Sequence, residues 1–92
     1  MRALVLALAL LAAAPAHAAC YADYKAKQEP PLRLHYGVIE LPDGACTPSA
    51  ARAEVARRLA AHGWTLLNIV GIFGPEGLEA RRSDAGAHFL RY

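Results

Sequence analysis

Apolar and polar positions divide the chain into regions of different period. Leu4 to Ala14 form eleven unbroken apolar residues, ended by Pro15. From Leu32 the apolar residues alternate instead: Leu32, Leu34, Tyr36 and Val38 lie between Arg33, His35 and Gly37, before Ile39 and Leu41 disturb the rhythm. A period of two predicts a strand over 32–41 with one apolar face. Pro42-Asp43-Gly44 then reads as a turn, because proline fixes φ and glycine tolerates positive φ.

Thr47-Pro48 carries the signature of a helix start, an N-cap hydroxyl followed by proline at the first position, where no amide donor is needed. Residues 49–62 are rich in alanine, leucine and arginine, and Gly63 stands where a left-handed C-cap belongs. At helical spacing Ala51, Val55, Leu59 and His62 share one stripe. Glu54 and Arg58 are spaced for an i,i+4 ion pair, and Arg57 and Arg58 lie near the negative end of the helix dipole, on a face read as solvated.

Trp64 to Phe73 is the most apolar stretch after the leader and predicts a strand covered on both faces. Gly74-Pro75-Glu76-Gly77 ends it. Residues 78–85 fit either a short helix stopped by Gly86 or a loop, and Ala87 to Tyr92 alternates as a third strand. Residues 19–31, with two tyrosines, two lysines and Pro30-Pro31, read as an irregular arm. The expected architecture is therefore a small α+β domain, a βαββ unit over 32–92 with a three-stranded sheet and one main helix on one face.

The opening segment has the parts of a secretory signal: Arg2, the apolar run, and Ala16-His17-Ala18 as a small-x-small cleavage pattern. Eleven residues at about 1.5 Å rise cover roughly half of a ~30 Å hydrocarbon core, which excludes a permanent membrane span. Residues 1–18 are accordingly expected to be a signal peptide, clipped after Ala18 or Ala19, and the protein to be secreted or periplasmic. Cys20 follows Ala18-Ala19, where a lipid anchor would sit, but His17 replaces the aliphatic residue usual three positions before such a cysteine. Arg2 is the one charge lost with the leader, so a net charge of +2 falls to +1. That is too weak a field to draw nucleic acid.

The two cysteines, Cys20 and Cys46, both follow the leader, and an exported chain with an even pair is expected to form a disulfide. The spacing lacks a Cys-x-x-Cys redox pair and the knuckles of a zinc site.

Catalytic motifs are missing from the sequence. There is no Gly-x-Ser-x-Gly elbow, no phosphate-cradling glycine loop and no His-Glu-x-x-His, and no cofactor is expected. If the first and last predicted strands were neighbours, Arg33 and His35 would share a face with His88, and Arg81 and Arg82 would approach from the loop. Such a cluster suits a small anion, or a metal if a carboxylate joins the histidines. A small enzyme is the other alternative. The leading expectation is a structural or interaction module: surplus apolar side chains at Ile39, Leu41, Ile72 and Leu90 would serve a homodimer or a protein partner through the sheet face or an edge strand.

The passage from helix to strand through Gly63-Trp64-Thr65-Leu66-Leu67, the turn Phe73 to Glu79, and the ending Phe89 to Tyr92 resemble small exported bacterial proteins with a βαββ module. The resemblance covers about residues 20–92. It implies the fold and the exported location, and brings no activity or catalytic residue with it.

Overall fold

The computed structural model describes residues 19–92. The expected signal peptide therefore lies outside the described residues. Three strands, β1 (Cys20–Gln28), β2 (Arg33–Leu41) and β3 (Thr65–Phe73), and two helices, α1 (Pro48–Ala60) and α2 (Glu79–Ala85), form an α+β domain. The sheet has the order β2-β1-β3, and β1 is antiparallel to both neighbours.

The segment expected to be an irregular arm is thus the central strand. Its alternation explains why. Cys20, Ala22, Tyr24 and Ala26 are buried on the face under α1, while Tyr21, Asp23, Lys25 and Lys27 point to the other. Pro30 and Pro31 cannot donate ladder bonds, and the chain turns at that point into β2 with Gln28 opposite Arg33.

The third expected strand, 87–92, is not one. Gly86–His88 form a 3-10 turn, and the residues beyond it contribute a single parallel bridge, Val38 to Phe89. Gly86 at φ +52° and Leu90 at φ +55° turn the backbone out of extended geometry, so the sequence alternation does not become a pleat. The element order is ββαβα. The three-stranded sheet with one main helix on one face stands, built from different segments than the sequence suggested.

Helix α1 starts at Pro48 after an extended Thr47, although the Thr47 hydroxyl makes no capping bond; its carbonyl accepts from Ala51 instead. Trp64 donates to the Leu59 carbonyl across a left-handed Gly63 (φ +80°), the C-terminal arrangement expected for glycine. Ala51, Val55 and Leu59 are fully buried against Ala22, Tyr24, Ala26 and Ile39. Each large aliphatic side chain so buried contributes about 1.5–3 kcal/mol. His62, on the expected stripe, is exposed.

Arg58 is not on a merely solvated face. It donates to the carbonyl of Tyr92 at 2.6 and 3.2 Å and to that of Glu40 at 2.7 Å. Cys20 and Cys46 form the expected disulfide, tying the start of β1 to the approach to α1.

Two of the four residues expected to serve an interface are core residues. Ile39 lies opposite Ala22 and is fully buried, and Leu41 lies opposite Cys20 and is nearly so. The break in alternation at Ile39 has its cause here: Leu41, Ile39, Gly37 and His35 form the face under α1, whereas Val38 and Tyr36 face α2. Ile72 is half-buried against the core, and Leu90 is exposed.

Close packing at the centre of the sheet depends on one glycine. Tyr24, fully buried, lays its ring over Gly37, its partner on β2. A Cβ at Gly37 would sit 2.6 Å from Tyr24 Cζ, closer than real contacts allow.

Candidate functional site

Two polar clusters and one open strand edge distinguish the molecule. The first cluster is a stack of rings where the C-terminal segment passes the edge of β2. His35 and His88 lie face to face, 3.7 Å between centroids and 13° between planes. Trp64 meets His35 edge-on at 4.3 Å, and Tyr92 stacks on His88 at 5.9 Å. Tyr24 Oη and His35 Nε2 are 2.9 Å apart, while His35 Nδ1 is buried without a hydrogen-bond partner. Burial, with His88 adding to it, holds the His35 imidazole down at about 4. His88 is also lowered, by burial and then by Arg91. Burial pushes the Tyr24 phenol up, with Tyr92 contributing.

His35 and His88 therefore meet, by a different route from the strand pairing assumed for them from the sequence. The rest of that constellation does not join them. Arg33 is exposed at the hairpin end of β2. Arg82 pairs with Glu79 at 3.3 Å and lies over the Phe89 ring. Arg81 is engaged elsewhere, in the second cluster.

The stacked rings are unsuited to a shared metal. Imidazole lone pairs lie in the ring plane, and a ligated ion sits ~2.0–2.1 Å from nitrogen in that plane. No point satisfies two near-parallel planes separated as these are. Among the described residues no group of three or more histidine, cysteine, aspartate or glutamate side chains is placed to hold a metal ion.

The second cluster lies beneath α2. Asp23, only 4% exposed, accepts from Tyr36 Oη at 2.8 Å and from Arg81 Nε at 3.0 Å, both at Oδ2. Arg81 also donates to the Gly77 carbonyl at 2.8 Å and lies 3.9 Å from the centroid of Phe73. Burial first, then the bond to Asp23, raises the Tyr36 phenol to about 12. Asp23 Oδ1 is buried and unpartnered. This is a structural lock: it lets a carboxylate occupy a central strand and pins α2 to the sheet. Arg81→Gln is expected to lower stability by about 1–3 kcal/mol, since it strips a charged partner from a buried carboxylate; chemical denaturation measures it.

Sequence reasoning singled out neither Asp23 nor its partner Tyr36. Period-two reading of residues 20–28 would have found Asp23 on the face opposite Cys20, Ala22, Tyr24 and Ala26.

The third feature is β3. Among the described residues it pairs with β1 alone, and its other edge is free. Two irregularities in its pairing, between Asp23 and Tyr24 and between Lys25 and Ala26, leave Val70 and Leu67 as extra residues. Both are exposed, at 50% and 42%. Leu67 also borders an open hollow of about 260 Å³ with Lys25, Leu34 and Tyr36. No helix among the described residues is long and apolar enough to cross a membrane. No protein-family model, curated protein or solved structure matches the chain.

Proposed function

We propose that this protein is a small exported interaction module that self-associates through the free edge of β3. The observation that carries the reading is the composition of that edge. Residues 65–73, Thr-Leu-Leu-Asn-Ile-Val-Gly-Ile-Phe, contain no charge and no proline, two of the devices by which sheet edges ordinarily repel further strands, while two register shifts interrupt the pairing with β1. Two copies joined about a two-fold axis set identical strands against each other, so any charge on the strand would face or lie near its own kind. This strand carries none. β2, by comparison, has its outer edge occupied at Val38, whose carbonyl accepts the Leu90 amide at 2.8 Å.

Export is supported by the leader composition and by the disulfide between Cys20 and Cys46, a bond that persists in oxidising compartments. It also commits the Cys20 sulfur that a lipid anchor would need.

Sedimentation equilibrium of the protein is expected to show a dimer. Val70→Lys, which places a cation on the exposed edge without touching the α1 face, is expected to give a monomer of unchanged fold by circular dichroism. A wild-type monomer at hundreds of micromolar, or a Val70→Lys dimer as tight as wild type, would count against the reading.

A further inference from the structure

We propose that Gly86–Tyr92 is an acid-released strap: protonation of the stacked His35–His88 pair detaches this segment from the outer edge of β2 while the sheet and α1 remain folded. The proposal concerns a different edge from β3 and does not depend on self-association.

Few attachments hold the strap. They are the Val38–Phe89 bridge with the Leu90 amide on the Val38 carbonyl, the His35–His88 stack, Arg58 on the Tyr92 carbonyl, Arg82 over the Phe89 ring, and Tyr92 against His62 and the core. Two of its residues have positive φ. Gly86 at its base has φ +52° and ψ −123°, and an added Cβ there would meet nothing, so glycine is required by conformation and not by space. Leu90 holds φ +55° with its side chain 42% exposed. A leucine in the left-handed region is strained, and here little burial compensates it.

The charged groups that act directly on the two rings are cationic, His88 on His35 and Arg91 on His88. β1 contributes Tyr24, the end of α1 contributes His62 against Tyr92, and the strap contributes Tyr92 and Arg91. Arg58 of α1, which reaches the strap carbonyl, is itself paired with Glu54. From α2, Arg82 covers Phe89 while paired with Glu79, and Asp84 acts on Tyr36. Among the described residues no carboxylate acts on either imidazole. A proton arriving on one ring therefore meets a parallel ring and cations, and a second proton sets two imidazolium ions face to face.

Linkage gives the direction. In the closed strap His35 is held at about 4, below its ordinary 6.5, and His88 is lowered too. The open state, with His88 in water and His35 relieved of its stacked partner, binds more protons than the closed one between these values. Opening is therefore favoured as pH falls below about 6.5 towards the value of about 4 at which His35 is held. With both rings partly exposed already, the open population is expected to grow on the order of ten- to a hundredfold over the window.

Amide exchange by NMR, normalised for the pH dependence of intrinsic exchange, tests this. Leu90 protection is expected to fall at least tenfold between pH 7 and pH 4, while Ala22 and Tyr24 amides in β1 keep theirs. His88→Phe, which retains a flat ring on His35 but not the second charge, is expected to lessen that fall, the burial of His35 remaining. Constant Leu90 protection, loss in step with β1, or a His88→Phe profile identical to wild type would each overturn the strap. If His88→Phe does not fold, the wild-type imidazole C–H shifts replace it: Leu90 protection must fall over the interval in which both rings titrate, and a mismatch refutes the proposal.

Discussion

Replacing Cys20 and Cys46 together by alanine is expected to lower the free energy of unfolding by about 3–4 kcal/mol, the chain-entropy value for a loop of this length. The disulfide spans a sequence separation of 26 residues and encloses the β1–β2 hairpin. It joins the first residue of the central strand to the segment that launches α1, so its loss frees both cover and sheet. Cys20 is also 9% exposed and part of the core cluster, which adds a packing loss to the entropic one. Small domains have stabilities of about 5–15 kcal/mol, so the effect is a large fraction of the whole. Urea titration of the double variant beside oxidised wild type measures it, and wild type in reductant should match the variant. A loss below about 1 kcal/mol would mean that the bond constrains little that the core does not already hold.

The second large effect is expected at the centre of the sheet. Tyr24→Ala is expected to cost about 3–5 kcal/mol, as aromatic truncations in cores do. Gly37→Ala should cost about 1–3 kcal/mol through overpacking against the Tyr24 ring. Because the added methyl group enters the space that the ring vacates, the two losses should not add. Gly37→Ala made in the Tyr24→Ala background is expected to be near neutral, and the double-mutant cycle to return a coupling of about 1–3 kcal/mol. Additive losses would show that the penalty at Gly37 comes from its backbone and not from the tyrosine above it.

These two sites also show what could be read from the sequence. Helix α1 was legible because its start, Thr47-Pro48, its buried stripe, Ala51, Val55 and Leu59, and its stop at Gly63 are all local signals. β3 was legible because large apolar residues dominate it, but the cover expected on both its faces is missing, with Leu67 and Val70 exposed. β1 was missed for a physical reason. The face it turns to α1 is largely alanine, which gives little hydrophobic contrast but lets a helix approach closely. Its other face presents Tyr21, Asp23, Lys25 and Lys27, which resemble a solvated arm; of these α2 reaches Asp23, through Arg81.

The candidate site divides in the same way. His35 and His88 were paired from an assumed strand arrangement that the positive φ at Gly86 and Leu90 precludes, and they meet because the segment wraps the edge of β2. The partner of Arg81 lies at the far end of the domain sequence, on a strand not recognised as one. No local spacing reports such a contact. Ile39 and Leu41 looked surplus only while the strand beside them was missing.

The position of β1 also bears on the order of assembly. Among the described residues it is the earliest strand, yet it lies between two later ones: the hairpin with β2 closes through a short turn, whereas Tyr21 finds Phe73 across nearly the whole domain. Pairings of such long sequence separation form late, because loop closure must precede the contacts that reward it. A chain emerging during synthesis would thus present a half-finished ribbon, one flank of its middle strand bare, until β3 arrives. That interval is when a holding chaperone would have most to protect.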